Sequence, residues 1–134
     1  MNQLMTPAEF AAKSVGLPWK KWRSDWEAVD CYGLLLLYLR HVQGIDLGEV
    51  PHTDIIDGFD TVSGWEACEP QAGAIGWMAF RDGAPTHCGI LLGRDRVLHA
   101  AGDEERGGSV RVSSLRFIRE LYGVVSFYRR VETC

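Results

Sequence analysis

The sequence predicts an α+β domain in which helices come first and a meander of strands follows. Up to Gly44, two capped apolar segments have the periodicity of helices. After Gly73, short apolar runs alternate with Gly, Pro and Asp turns, as strands and their connections do. The length of 134 residues is typical of one domain with its own core. We therefore expect a single domain over residues 1–134.

The first predicted helix begins after Thr6. This residue can act as N-cap, Pro7 suits the first helical position, and Glu9 completes a capping box. The helix is expected to end at Gly16, and Pro18 prevents its resumption.

Trp19, Trp22 and Trp26 follow at spacings of three and four residues. This spacing favours an apolar stripe along one face of a helix. The alternative is an aromatic wall beside a cleft, and the pattern alone leaves both open.

The second predicted helix begins at Cys31, with Asp30 as its N-cap, and ends near Val42, before Gly44. Residues 34–39 are apolar all round, which is typical of a helix buried on every side.

The segment after the second helix is predicted to be irregular over residues 45–71, because Gly and Pro interrupt it, with one short helix near 63–68. The remaining elements follow Gly73. They are strands at 74–80, 86–92, 97–101 and 109–112, a helix from 113 or 114 to 121, and a last strand at 124–129.

The charge distribution argues against a nucleic-acid partner. The chain has 14 Lys and Arg against 18 Asp and Glu, a net charge of −4, and no basic residue between His41 and Phe80. Nucleic-acid binding needs a concentrated basic face. We interpret the acidic segment as a solvated loop region.

The sequence also lacks signals for export and membrane insertion. The N-terminus has no basic segment followed by an apolar one, so we expect synthesis in the cytoplasm without a signal peptide. The longest apolar run, at 34–39, is far shorter than the roughly twenty residues that span a bilayer.

The cysteines are predicted to be reduced thiols, because a chain that stays in the cytoplasm does not keep disulfides. No pair has C-x-x-C spacing, which disfavours structural zinc. His52, Asp54 and Asp57 fix no coordination geometry either. We therefore expect neither a metal nor a cofactor. The four cysteines are Cys31, Cys68, Cys88 and Cys134.

Cys31 is the strongest candidate for a nucleophile. In the first turn of a helix, unpaired backbone N–H groups and the positive end of the dipole stabilise a thiolate. The pKa of such a thiol can lie well below about 8.5. The alternative is a small core residue, which is the usual role of cysteine on an apolar helix.

Two histidines supply candidates for the base, since a thiolate nucleophile needs an imidazole to accept its proton and protonate the leaving amine. His87 and His99 lie on consecutive predicted strands. An odd-length turn would place both on one face, where His99 would orient His87, whereas a two-residue turn would place them on opposite faces. Gly93 permits a three-residue loop, so the register stays open. Cys88 points away from His87 by strand alternation and is predicted to pack in the core.

The sequence resembles the NlpC-type cell-wall peptidases, which are compact papain-like cysteine peptidases. Their catalytic order along the chain is Cys, His and a third polar residue. The resemblance covers roughly residues 6–130. Its three signature blocks are Asp30-Cys31-Tyr32-Gly33-Leu34, His87-Cys88-Gly89-Ile90 and Val97-Leu98-His99-Ala100, with upstream and sheet-entry segments at Gly16-Leu17-Pro18-Trp19 and Gln71-Ala72-Gly73-Ala74-Ile75-Gly76-Trp77.

The resemblance implies that Cys31 is the nucleophile, His87 the general base and acid, and His99 the orienting third residue. It also implies an oxyanion held mainly by the backbone N–H of Cys31. The implied reaction is amide hydrolysis of peptidoglycan stem peptides, commonly between D-glutamate and a diamino acid. Trp19, Asp30 and Tyr32 are the implied substrate-binding residues.

The chain departs from the family pattern at three positions. Tyr32 replaces a common serine, Trp19 a common tyrosine and Ala74 a common aspartate. Tyr32 with Gly33-Leu34, and the later Gly44-Ile45-Asp46-Leu47, resemble the phage-tail branch. That branch implies phage-like tail partners and delivery to the cell wall as part of a particle. The alternatives are a non-catalytic tail assembly or docking module, and an amidase or toxin effector that cuts a different bond.

Overall fold

The computed structural model describes residues 4–46, 65–68, 76–81, 84–93 and 95–130. Within these ranges two helices precede a sheet, which confirms the predicted α+β class. The single domain over the whole length stays a prediction. His52, Asp54, Asp57, Ala74 and Cys134, with most of the predicted irregular segment, lie outside the described residues.

The described elements are helical first, and a single helix interrupts the strands that follow. They are helices α1 (Pro7–Ser14) and α2 (Cys31–Tyr38), a π-helical turn (Leu39–Gln43), strands β1 (Trp65–Cys68), β2 (Gly76–Arg81), β3 (Ala84–Leu91), β4 (Arg96–Asp103) and β5 (Gly107–Ser114), helix α3 (Leu115–Tyr122) and strand β6 (Val124–Arg130).

Helix α1 begins as its capping residues predict. The Thr6 hydroxyl accepts from the Glu9 backbone N–H at 3.1 Å, and the Glu9 carboxylate accepts from the Thr6 N–H at 2.9 Å. The helix ends at Val15, before Gly16 at a φ of 95°. The predicted start of the helix is confirmed, because these capping hydrogen bonds join residues only three positions apart in the sequence.

Helix α2 is buried from Tyr32 to Tyr38, as its uninterrupted apolar run predicts. Its continuation differs from expectation, because Leu39–Gln43 forms a π-helical turn. Gly44 then ends the helix in the left-handed conformation at a φ of 73°, and the Ile45 N–H donates to the Leu39 carbonyl at 2.9 Å.

The helical stripe expected of the three tryptophans is wrong. Residues 18–30 form turns and isolated bridges, and Trp22 has a φ of 66°, which no helix permits. Side-chain acceptors hold this path, since the Asp25 carboxylate accepts from the Glu27 and Ala28 N–H groups at 2.8 and 3.0 Å. Such local hydrogen bonds compete with a helical backbone.

The sheet has the order β1-β6-β2-β3-β4-β5, and each pairing is antiparallel. The short helix predicted near 63–68 is wrong, because Trp65–Cys68 forms strand β1 and pairs with β6. A four-residue segment takes its conformation from the sheet edge that it meets, and the local sequence does not reveal that edge.

The β3–β4 hairpin has the register that brings both histidines to one face. Ile90 pairs with Leu98 and Leu91 with Val97, so residues of equal parity lie on the same face. One face packs on α2 through a core that includes Cys88, Ile90 and Leu98. The other face packs on α3 through Leu91, Val97 and Ile118, among others.

No helix in the described ranges is long and apolar enough to span a membrane. Nor do His, Cys, Asp and Glu side chains of those ranges form a group that could hold a metal ion.

Candidate active site

Cys31 occupies the first position of α2, and the N-cap Asp30 ties that turn to the preceding loop. One carboxylate oxygen of Asp30 accepts from the Gly33 N–H at 2.6 Å, and the other accepts from the Trp22 N–H at 2.8 Å. Both oxygens therefore hold the turn that presents the Cys31 thiol. The thiol is half-buried, whereas the next seven residues are buried.

Gly33 lets the preceding loop lie against the first turn of α2. A Cβ atom at this position would overlap the Arg23 carbonyl oxygen. The same carbonyl accepts from the Asp30 N–H at 3.1 Å, so it cannot move away without loosening the N-cap. The block Asp30–Leu34 thus carries a packing requirement besides its chemistry.

The two candidate histidines lie side by side on β3 and β4. His87 Nε2 and His99 Nδ1 are 2.9 Å apart and hydrogen-bonded, and the rings meet edge to face with centroids 5.1 Å apart. His87 is 5% exposed and His99 is fully buried. Of the three predicted catalytic residues, only Cys31 is more than slightly accessible to a substrate.

Ser113 extends this chain of side chains on β5. Its Oγ lies 2.8 Å from His99 Nε2. In the β4–β5 ladder, Ser113 is opposite Val97, so it reaches His99 as a diagonal neighbour on the same face.

Tyr122, at the end of α3, stacks on His87. The ring centroids are 4.1 Å apart and the planes differ by 25°. The Thr86 hydroxyl donates to the Tyr122 carbonyl at 2.6 Å, which ties the end of α3 to the residue before His87. The imidazole is therefore held on one side by an aromatic ring and on its edge by His99.

The surroundings of Cys31 favour a thiolate. A hydrogen bond from the Cys88 thiol, together with the hydrogen bond and charge of His87, holds the pKa of the Cys31 thiol well below its usual value, although burial opposes the shift. The hydrogen bond to Cys31, together with burial, raises the pKa of Cys88 well above its usual value. Cys88 therefore stays protonated and donates to Cys31.

The same arrangement keeps His99 neutral. Burial, followed by the charges of His87 and Arg111, lowers the pKa of His99 to about 3. Arg111 is exposed and faces His99 across the β4–β5 ladder. No carboxylate in the described part of the chain forms an ion pair with Arg111.

The surroundings of Asp30 disfavour the ionised form of its carboxyl group. Burial, followed by the negative charge of Cys31, raises the pKa of Asp30 to about 6, although the hydrogen bonds from Gly33 and Trp22 oppose the shift. Asp30 is 8% exposed, and its two oxygens are occupied by backbone donors. Its predicted contact with substrate stays a prediction, and the contacts that it makes hold the turn.

The other two predicted substrate-binding residues differ in placement. Tyr32 is 3% exposed and belongs to the core beneath α2, so its predicted role in substrate binding stays a prediction. Trp19 is half-buried and packs closely over Gly102, where a Cβ would meet its side chain at 2.8 Å. It lines an open cavity of about 330 Å³ together with Lys20, Lys21, Asp103, Glu104 and Gly107.

The three tryptophans do not form one wall. Trp26 packs against Phe10 with ring centroids 5.5 Å apart, whereas Trp19 packs over Gly102. Trp22 lies under the Lys21 ammonium group, 4.8 Å from the ring centroid. Of the three, Trp19 is the one beside a cavity that adjoins β4 and β5.

Sequence reasoning missed Ser113 and Tyr122 and saw only the packing role of Cys88. Ser113 could be recognised only from its position on the same sheet face as His99. That position follows from the pairing register of β4 with β5, which must be known first. Tyr122 reaches His87 through the packing of α3 on the sheet, and no local pattern reveals that. Cys88 is buried as predicted, and its hydrogen bond to Cys31 adds a second role.

Comparisons with known proteins agree with this geometry. Residues 18–124 match the model of the NlpC/P60 family. The fold is similar to the crystal structure of the NlpC/p60 domain of peptidoglycan hydrolase SagA, with a TM-score of 0.61 and 18% sequence identity over 94% of this chain and 95% of that chain. The expected papain-like fold is thereby confirmed. No curated protein sequence matches the chain significantly.

Proposed function

Because the chain belongs to the NlpC/P60 family, whose fold is that of papain-like cysteine peptidases, we propose that it hydrolyses amide bonds in the peptides of peptidoglycan. The expected enzyme class, a cysteine peptidase, is confirmed by family and fold. The observation that carries the proposal is the half-buried Cys31 thiol beside the buried pair His87 and His99.

The geometry supports hydrolysis through an acyl-enzyme. The Cys31 thiolate attacks the amide carbonyl carbon, and the backbone N–H of Cys31 at the helix terminus stabilises the oxyanion. The His87 imidazolium gives its proton to the amide nitrogen, the C–N bond breaks and the amine leaves. His87 then removes a proton from water, which attacks the thioester, releases the acid and restores the thiol.

Two observations support a peptidoglycan peptide as substrate. The similar structure is that of a domain described as belonging to a peptidoglycan hydrolase. The exposed Arg111 guanidinium beside His99 also suits a substrate that carries carboxylates, as stem peptides do.

The biological setting that we propose is a phage or phage-like tail, from which the domain reaches the cell wall. This proposal rests on the resemblance of residues 32–34 and 44–47 to the phage-tail branch. Its direct test is the detection of the chain in purified particles, and its absence from particles that digest the wall would contradict it.

Digestion of purified peptidoglycan, followed by mass spectrometry of the released fragments, tests the activity. The full chain is expected to release peptide fragments with a new amine and a new carboxylate, and Cys31→Ala is expected to lose this activity by at least about 10³-fold, because the nucleophile is gone. An unchanged product pattern with Cys31→Ala would refute a Cys31 peptidase. Fragments cut between sugar and peptide would instead show an amidase.

Alkylation tests the nucleophile without a substrate. Iodoacetamide at about pH 6 is expected to modify Cys31 faster than Cys68, because a low-pKa thiol is ionised there and an ordinary thiol is not. His87→Ala is expected to slow that reaction. Equal rates at the two cysteines would contradict the proposed thiolate. The alternative, a docking module, predicts that the wild type digests no peptidoglycan and that Cys31→Ser still assembles into particles.

A further inference from the structure

The His99 ring has two polar atoms to satisfy in a site without access to solvent. Its Nδ1 faces His87 Nε2 at 2.9 Å and its Nε2 faces Ser113 Oγ at 2.8 Å. Since His99 is fully buried, its ring nitrogens need partners within the protein. Each of them has one of these two side chains at hydrogen-bond distance.

The protonation of these rings decides which atom donates. A neutral imidazole has one N–H group, whereas an imidazolium has two. His99 is neutral, because its pKa is lowered to about 3 by burial and by the charges of His87 and Arg111. When His87 becomes an imidazolium, its Nε2 must donate, so His99 Nδ1 must accept. The single proton of His99 then lies on Nε2, and Ser113 Oγ is its acceptor.

The opposite tautomer would disable the site. If His99 carried its proton on Nδ1, it would donate to His87 Nε2, and that nitrogen would then have to be unprotonated. An imidazolium at His87 would place two N–H groups against each other. The Ser113 hydroxyl can donate or accept, so it pairs with His99 Nε2 in either tautomer, and it accepts from that nitrogen in the tautomer that a protonated His87 requires.

We propose that Ser113 is a positioning residue of the active site, which holds the His99 ring with Nδ1 toward His87 and accepts from His99 Nε2 when His87 is an imidazolium. The proposal rests on the proposed function for its catalytic consequence. Ser113 acts through His99 on His87, and it touches neither Cys31 nor the substrate. It extends the predicted catalytic group of three side chains to a chain of four.

The other described groups around His99 differ from Ser113 in chemistry or in position. Arg111 on β5 carries only donors, and Tyr122 on α3 meets His99 edge-on with centroids 6.3 Å apart. Cys31 on α2 contacts His87. Ser113 Oγ lies at hydrogen-bond distance from His99 Nε2 and can accept from it.

The variants Ser113→Ala and Ser113→Thr test the proposal, with Ser109→Ala as the matched control. Alanine removes the acceptor, whereas threonine keeps a hydroxyl. Ser109 lies on the same face of the same strand, opposite Ala101, at the other side of Arg111 from Ser113. Thermal unfolding of all four proteins shows that each one folds, so that a loss of activity is not a loss of structure.

In Ser113→Ala, kcat is expected to fall about fivefold to tenfold with KM within about twofold, because one hydrogen bond to the imidazolium-supporting ring is lost. The alkaline limb of the kcat/KM profile is expected to move to lower pH, because His87 loses its proton more easily. Ser113→Thr should restore both values, and Ser109→Ala should match the wild type. A profile unmoved in Ser113→Ala, or unrestored by threonine, would overturn the proposal.

Alkylation separates this proposal from the proposed function. When the imidazolium is destabilised, part of the thiolate–imidazolium pair of Cys31 and His87 is replaced by the neutral thiol and imidazole. Because less thiolate is present, Cys31 in Ser113→Ala should react about fivefold more slowly with iodoacetamide near pH 6. This readout needs no substrate. If wall digestion fails while the alkylation rate still falls, the proposed function is wrong and the role of Ser113 stands. If digestion occurs and the alkylation rate is unchanged, the reverse holds.

Discussion

Cys88 is the residue whose role changes most between sequence and structure. It packs in the core beneath α2, and its thiol donates a hydrogen bond to Cys31. In Cys88→Ala that donor is lost, so the pKa of the Cys31 thiol is expected to rise and its alkylation near pH 6 to slow about threefold to tenfold. Cys88→Ser keeps a hydroxyl donor and should retain most of the rate.

Cys68→Ala is the control for Cys88, because Cys68 lies on β1 and pairs with Phe127 at the opposite side of the sheet from α2 and β3. It should leave the Cys31 rate unchanged. A rate in Cys88→Ala equal to that of the wild type would mean that His87 alone lowers the pKa of the nucleophile.

Helix α2 depends on close contact between its first turn and the loop before it. Gly33→Ala places a Cβ where the Arg23 carbonyl oxygen lies, so it is expected to lower the free energy of unfolding by about 3 kcal/mol and to disturb the Asp30 cap. Urea unfolding measures the change. Gly93→Ala is the matched control, since nothing lies within 4 Å of its added Cβ, and it should change stability by less than about 0.5 kcal/mol. Equal losses in both variants would show that the contact with Arg23 is not the cause.

The elements also show which parts of the fold the sequence could predict. The starts of α1 and α3 follow from Thr6 and Ser114, because a capping side chain bonds to a backbone group three residues away. The helix expected through Trp22 and the short helix expected near 63–68 were wrong, because the conformations of these segments depend on Asp30 and on β6, which are distant in sequence. Local signals predict local hydrogen bonds, and long-range partners decide the rest.

The candidate site follows the same division. Cys31, His87 and His99 could be selected because their residue types and spacing carry the chemistry. Their mutual distances required the register of Ile90 with Leu98, which the turn alone left open. Ser113 and Tyr122 enter the site only through tertiary packing, so the sequence could not single them out.

At the scale of the whole molecule, the buried site makes stability depend on pH. The pKa of His99 is about 3 in the folded state, against about 6.5 for a histidine in an unfolded chain. Between these values the unfolded state binds about one proton more, so the contribution of His99 to the free energy of unfolding rises with pH and is lost on acidification. His99→Asn is expected to flatten this dependence, measured by urea unfolding from about pH 4 to pH 7.

Asp30 provides the opposing control. Its pKa of about 6 in the folded state exceeds the usual value near 3.9, so its contribution falls as pH rises between these values. Asp30→Asn should therefore steepen the rise of stability with pH, whereas His99→Asn should reduce it. The same slope in both variants would contradict the opposite directions of these two pKa shifts.

The stack of Tyr122 on His87 has a consequence for magnetic resonance. A proton that lies over the face of an aromatic ring is shielded by the ring current, and the Tyr122 ring is 4.1 Å from the His87 ring and nearly parallel to it. The carbon-bound protons of His87 should therefore resonate upfield of those of His41, whose ring lies tilted against Trp26. The His87 imidazole thus carries its own spectral label, and its environment can be followed in the intact protein without a substrate, a dye or a substitution at the site.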